Sequence, residues 1–409
     1  VKGLGPYVLV FGVTFVISFL ATPVIRKLAL KVGAVDRPND RKVHPRPTPT
    51  MGGLALFLAV VVGMAVAHQL HFADFQRLFR TSLEPTGVLV ACAVVVAIGV
   101  YDDVRGTAAP VKLAGQIMAA GLLVLFGVQL LYFFFPGQGL LILGSDLAVP
   151  LTVIWVVAMV NAVNLIDGLD GLAAGMVAIA ALAFFIYVFQ APSPVGIPSG
   201  NAGAALLSAL AAGAALGFLP WNFHPAKIFM GDSGSMLLGI LLAAATIMGV
   251  GRNFGPPSGG DLAAFSIPVL VPLVILAVPF LDVVLAIFRR VRRGRPVTHA
   301  DKEHIHHRLL DFGHSHRQAV VLMYLWSALI SAVALAVALL NGRLLIGGIG
   351  VAALLIIVAT AIPRAWPSVR AARRTSAEQD QLEASADAAV PAPVEPSPSA
   401  PDGTAPETP

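Results

Sequence analysis

Four polar side chains interrupt one of the most apolar parts of the chain. They are Asn161, Asn164, Asp167 and Asp170, spaced three apart within NAVNLIDGLDG. On a helix of 3.6 residues per turn, steps of three move about 60° and keep all four within half a face. Three further clusters carry the same kind of chemistry: VYDDVRG with Asp102 and Asp103, KIFMGDSGS with Gly231, Asp232 and Ser233, and THADKEHIHHRLLDFGHSHRQ with His304, His306, His307 and Arg308. Carboxylate and amide oxygens suit a hard cation, Mg²⁺ first and Mn²⁺ as a substitute. The single cysteine, Cys92, argues against a thiolate site, and HIHH has no H-E-x-x-H helix to complete a zinc site. The acids Asp102, Asp103, Asp167 and Asp170 fall at or just past the C-terminal ends of apolar runs. A helix C-terminus disfavours a carboxylate by about 0.3–1 kcal/mol, and a bound cation reverses that sign. In GDSG, Gly231 allows close approach of a ligand, Ser233 or Ser235 can cap the following helix, and that helix start suits a phosphate.

The elements that must position these groups are membrane helices. The chain has 409 residues, of which 57% are hydrophobic and 12% charged, with a mean hydropathy of +0.83. A soluble domain carries about 25% charged residues. Apolar runs fall at about 6–23, 51–68, 86–100, 113–131, 148–164, 171–190, 201–219, 235–250, 264–288, 319–340 and 343–363. The expected fold is therefore an all-α polytopic integral membrane protein with about 11 transmembrane helices. Placing the loop after the first run inside puts 22 of the 27 Lys and Arg residues on inner segments. The positive-inside rule then sets the N-terminus outside and the C-terminus in the cytoplasm. Residues 1–363 form the membrane domain, 364–374 a basic juxtamembrane segment, and 375–409 an acidic Pro/Ala-rich tail whose composition favours disorder.

With that topology every polar cluster meets the cytoplasm, including DRPNDRKVHPRPTPTMGG with Arg41 and His44. A transport path would spread polar residues through the bilayer depth. Crowding on one face favours an enzyme at the inner leaflet, and anionic headgroups account for the basic surface without nucleic acid. A Mg²⁺-dependent enzyme acting on a lipid phosphate fits these features. Lys112, nine residues after Asp103, can face a phosphate or lie along the membrane interface.

The stretches DRPNDRKVHPRPTPTMGG, DDVRG, NAVNLIDGLDGLAAG, KIFMGDSGSMLLG and DKEHIHHRLLDFGHSHRQAV, in this order, resemble the polyprenyl-phosphate N-acetylhexosamine-1-phosphate transferases. Within that superfamily HIHHRLLDFG is most similar to the bacterial UDP-GlcNAc branch. The resemblance implies transfer of GlcNAc-1-phosphate from UDP-GlcNAc to undecaprenyl or decaprenyl phosphate, with release of UMP and initiation of a cell-envelope glycan. It implies Asp232 and Asn164 as metal ligands and Asp102, Asp103, Lys112 and Asp167 as catalytic groups. The paired aspartates act either as base or as organisers of metal and phosphate, and a covalent phospho-aspartate is the rival route. Substrate contacts would come from Asn161, Asp170, Gly231, Ser233, His304, His306, His307, Arg308, Arg41 and His44. A homodimer in the plasma membrane is implied in the same way. The alternatives are a UDP-MurNAc-pentapeptide donor and, from another class, a lipid-linked transporter.

Overall fold

The computed structural model describes residues 3–36, 47–135, 139–190, 201–250 and 314–339, all within the compact unit Val1–Ile362. Helix α1 spans Gly5–Val32 and ends at Gly33, whose φ of 76° suits a residue without Cβ. Strand β1 (Val35–Asp36) then pairs antiparallel with β2 (Thr48–Pro49). Next come α2 (Gly53–Gln69), α3 (Ala73–Thr81), α4 (Glu84–Arg105) and α5 (Ala109–Leu125). An antiparallel ribbon of β3 (Tyr132–Phe135) and β4 (Gly139–Ile142) follows. The rest of the described chain is helical: α6 (Ser145–Ile166), α7 (Leu172–Gln190), α8 (Ala202–Asn222), α9 (Gly231–Val250) and α10 (His316–Leu339).

Nine of the expected runs coincide with helices; those at 264–288 and 343–363 lie outside the described residues. Seven of these helices are long and apolar enough to cross a membrane. An eighth span results if α2 and α3, bent by 105°, count as one; α5 is shorter. The protein is thus a mostly helical, multi-pass membrane protein. The short pairs β1–β2 and β3–β4 depart from the all-α expectation, and α3 adds a helix to the expected runs. The ribbon β3–β4 takes up aromatic residues that favour strands, around a Pro136-Gly137 turn signal. Helix α3 escaped a hydropathy reading because only one side is apolar: Phe75, Leu78 and Phe79 recur at helical spacing while Arg77 and Arg80 break the run.

Helices α8 and α9 are almost wholly covered by the others. Between α1 and α8 the backbones touch, as small residues allow in lipid. A Cβ at Gly217 would lie 2.2 Å from the Phe15 carbonyl oxygen, and the Ser18 hydroxyl donates to the Ala214 carbonyl at 2.8 Å. Outer faces of α1, α5 and α6 expose large apolar groups, among them Leu20, Val24, Met118 and Ile154. Hydrocarbon, not water, is the fitting solvent for such faces. The buried hydroxyls of Thr14, Thr22, Thr152 and Ser208 bond to the carbonyl four residues back, which hides their polarity within the helix.

Several helix ends are tied together at one end of this bundle. Gly52 N–H donates to the Phe229 carbonyl and Phe229 N–H to the Pro49 carbonyl, joining the segment before α2 to the segment before α9. The Arg26 side chain of α1 donates to the Lys227 carbonyl at 3.0 Å.

Candidate active site

Two adjacent aspartates close α4, and adjacency on a helix turns their side chains about 100° apart. Asp102 and Asp103 therefore serve different neighbours. One Asp102 oxygen accepts from the Thr107 backbone at 2.7 Å and its hydroxyl at 2.6 Å. The other lies 2.7 Å from Lys112 Nζ. Lys112, in the first turn of α5, also reaches Asp232 Oδ2 at 2.5 Å. Asp232 Oδ1 accepts from the Asn164 amide at 3.1 Å. That amide also donates to Ser235 at 2.9 Å. Its nitrogen is thus committed, which leaves the Asn164 oxygen for a cation. Residues from α4, α5, α6 and α9 converge on one point.

Asp103 faces the start of α9. Its carboxylate accepts from the Asp232 N–H at 2.9 Å, the Ser233 N–H at 3.5 Å and the Ser233 hydroxyl at 2.7 Å. Thr50 donates to it at 3.3 Å. The sequence predicts a phosphate seat at this helix start, with Ser233 or Ser235 as cap; in the structure the anion at the positive end of α9 is Asp103's own carboxylate. Ser233 is fully buried and serves that cap. Ser235 donates back to carbonyls of its own first turn. Gly231 contributes clearance, since a Cβ there would fall 2.3 Å from Asp103 Oδ1. The unfavourable placement of Asp103 at a helix C-terminus is offset by the helix N-terminus it meets.

Glycines make this approach fit. Gly99 lies one turn before Asp103 on the same side of α4, and a Cβ on it would come within 2.3 Å of the Ser233 Cα. From the opposite side, a Cβ on Gly53 would come within 2.3 Å of the Gly234 nitrogen.

The opening tetrad divides. Asn164 joins Asp232. Asp167 caps the end of α6, outside the helix. Part of its surface is open, yet burial of the carboxyl, then the charges of Asp232, Asp103 and Asp170, hold it well above the usual carboxylate range. Asn161 turns inward, donating to Gln116 Oε1 at 2.6 Å and the Val157 carbonyl at 2.7 Å. Its expected substrate contact gives way to a bond between α6 and α5. Asp170 turns to the loop before α9, accepting from His224 Nδ1 at 2.7 Å and the Ala226 N–H at 3.1 Å.

The donor set fits a hard divalent cation. Lys112 lies between the carboxylates of Asp102 and Asp232, and these oxygens with the Asn164 amide oxygen are the hard donors such an ion takes; Asp167 is raised first by burial and then by the neighbouring charges of Asp232, Asp103 and Asp170. Arg41, His44, His304, His306, His307 and Arg308, with the acid Asp282 in the run 264–288, lie outside the described residues.

Comparison with known proteins accords with this arrangement. Residues 85–250, which hold Asp102, Asp103, Lys112, Asn164 and Asp232, match the family described as glycosyl transferase family 4. A protein of Mycobacterium tuberculosis, named decaprenyl-phosphate N-acetylglucosaminephosphotransferase, is 44% identical over 361 residues, covering 85% of this chain and 86% of the relative. The chain belongs to glycosyl transferase family 4. The chain is similar to further relatives as well. One from Bacillus subtilis, named probable undecaprenyl-phosphate N-acetylglucosaminyl 1-phosphate transferase, is 36% identical over 76% of this chain and 81% of its own length. One from Yersinia pestis, named undecaprenyl-phosphate alpha-N-acetylglucosaminyl 1-phosphate transferase, is 28% identical over 80% of this chain and 81% of the relative.

Thr50, Gly53, Gly99, Thr107, Asn222, His224 and His316 are not legible as site residues in the sequence. Thr50 and Gly53 fall within DRPNDRKVHPRPTPTMGG and His316 within DKEHIHHRLLDFGHSHRQAV, while Asn222 and His224 lie just before KIFMGDSGS. Glycines in apolar runs carried no distinguishing signal, since their partner is distant in sequence.

Proposed function

We propose that this family 4 protein transfers GlcNAc-1-phosphate from UDP-GlcNAc to a polyprenyl phosphate, releasing UMP at the cytoplasmic face of the plasma membrane. The observation that carries this reading is the convergence of Asp102, Lys112, Asn164 and Asp232, from four helices, at one end of a lipid-facing bundle. The names of the mycobacterial and Bacillus relatives support the acceptor and the sugar.

Both substrates are anions, so the barrier is repulsion and alignment. An oxygen of the lipid phosphate forms a bond to the β-phosphorus of the nucleotide sugar. The bond from that phosphorus to the bridging oxygen breaks, and UMP leaves with the oxygen. A phosphate monoester has its second pKa near 6, so the attacking group is largely a dianion at neutral pH and needs no strong base. Lys112 supplies positive charge beside the reacting phosphates and is itself oriented by Asp102 and Asp232. Asp103 fixes the start of α9 and so the placement of Asp232. Direct attack is favoured over a phospho-aspartate because Asp103 is engaged with α9 and Asp102 with Thr107 and Lys112. Asp232 and the Asn164 oxygen would hold Mg²⁺. When bound, the ion supplies neutralisation of the diphosphate.

Membranes incubated with labelled UDP-GlcNAc, decaprenyl phosphate and Mg²⁺ are expected to yield labelled lipid and UMP, and Asp232→Ala membranes neither. No UMP from the wild type would reject the reading. Excess EDTA is expected to abolish turnover and Mg²⁺ to restore it, with Mn²⁺ substituting; turnover unaffected by EDTA would reject the metal assignment. Preference for UDP-MurNAc-pentapeptide in donor competition would move the protein to the peptidoglycan-precursor branch.

A further inference from the structure

A second polar cluster lies beside the first. It draws one residue from each of three elements: Asp170 from the turn between α6 and α7, His224 from the loop between α8 and α9, and His316 from the start of α10. Asp170 is 9% exposed. His224 Nδ1 donates to its Oδ2 at 2.7 Å, and the Ala226 N–H donates to the same oxygen at 3.1 Å. The Asp170 N–H in turn donates to His316 Nε2 at 3.1 Å. These two bonds assign the tautomers: His224 carries its proton on Nδ1, and neutral His316 carries its proton away from Nε2. The imidazoles stack, with centroids 4.2 Å apart and planes 18° from parallel.

The backbone around the cluster is tied down as well. Arg317 donates to the His224 carbonyl at 3.0 Å. Asn222 accepts from the Gly171 N–H at 3.1 Å and donates to the Ile228 carbonyl at 3.0 Å, closing the loop on the turn. Tyr324, two turns into α10, donates to the Gly171 carbonyl. The turn that carries Asp167 and Asp170 is therefore held by the α8–α9 loop and by α10 together, and the bonds from His224 and Ala226 both go to Asp170 Oδ2, with no bond to Oδ1 among the described residues.

We propose that His224 and His316 are positioning residues that set Asp170 for the nucleotide of the sugar donor, without touching substrate themselves. This rests on the transferase reading above. Two imidazoles and a carboxylate with ligand atoms within 4.8 Å also have the composition of a Zn²⁺ site. The hydrogen bonds favour positioning, because Nδ1 of His224 and Nε2 of His316 are both engaged with Asp170 and an ion would have to break those bonds.

The test uses the full chain in membranes, with donor and acceptor concentrations varied separately. In His224→Asn the amide N–H stands where Nδ1–H stood; in His224→Gln it does not. We expect His224→Gln and His224→Ala to raise the KM for UDP-GlcNAc by about 10-fold with kcat changed less than about 2-fold. The KM for decaprenyl phosphate stays unchanged, and His224→Asn restores the donor KM to within about 3-fold. His316→Gln, which keeps an acceptor near Nε2, is expected to exceed His316→Ala in donor affinity. Equal values for Asn and Gln at position 224, or a loss confined to kcat, would overturn the proposal. So would one Zn²⁺ per chain whose removal abolishes activity and whose return restores it. Should the wild type release no UMP, the transferase reading itself fails. Positioning is then read from the thermal shift given by UDP-GlcNAc, expected in wild type and His224→Asn and lost in His224→Gln; no shift in the wild type overturns it.

Discussion

Neighbouring aspartates at the end of α4 have separable roles, and the separation is measurable. Asp103 satisfies two backbone donors at the start of α9 and the hydroxyl of Ser233. Removing a cap of this kind costs about 0.5–2 kcal/mol. Asp103→Ala is expected to lower the melting midpoint in detergent together with activity. Asp102→Ala, which loses Lys112 and Thr107 from a more open position, is expected to lower activity at least about 100-fold with a smaller change in midpoint. Equal midpoints for the two variants would contradict the assignment. Asp167 should behave in the opposite sense. Its folded-state proton affinity is raised, chiefly by burial and then by Asp232, Asp103 and Asp170. A group raised in this way adds stability below its unfolded pKa and loses it as pH rises through the folded value. At neutral pH and without divalent ions, holding this carboxyl in its buried, acid-rich setting therefore costs stability. Asp167→Asn is expected to raise the melting midpoint in EDTA while reducing turnover; a lower midpoint would refute the electrostatic account. These residue types announced themselves in sequence because acids are rare in apolar runs. Their partners did not: nothing near Asp103 says that its carboxylate meets a helix starting at residue 231, and nothing in the three-residue spacing says that Asn161 faces inward while Asp170 turns to His224.

At the scale of elements, the site depends on how near α9 comes to α2 and α4. Gly99 and Gly53 sit on either side of the Asp232–Gly234 segment with no space for a methyl group. A Cβ clash with backbone atoms cannot be relieved by turning a side chain, so α9 must move. Gly99→Ala is expected to displace Asp232 from Lys112 and Asn164 and cut activity at least about 100-fold, since displacements near 1 Å reach that size. Gly121→Ala in α5, where nothing lies within 4 Å of the added group, is the matched control and should be neutral. Comparable losses in both would show that glycine content, not clearance at α9, is what matters. Helix existence was legible from hydropathy for every described run, because apolar length dominates that signal. Helix α3 and the β3–β4 ribbon were not, since nine amphipathic residues and a short aromatic hairpin do not rise above a background that is itself apolar.

For the whole molecule, the geometry joins the ends of α4 and α6 to the starts of α5, α9 and α10. The proposed orientation rests on the basic-residue asymmetry of the sequence and would bring this acid cluster to the inner headgroup level, where the proposed acceptor carries its phosphate. Buried Cys92 gives a quiet background for labelling. Ala108→Cys, in the exposed segment between α4 and α5, is expected to react with a membrane-impermeant maleimide only after the cells are opened. Thr81→Cys, exposed at the end of α3, is expected to react in intact cells. The reverse pattern would place the acid cluster outside. UDP-GlcNAc is charged and does not cross the hydrocarbon layer unaided, so that result would remove the proposed donor along with the orientation, even with every distance in the site unchanged.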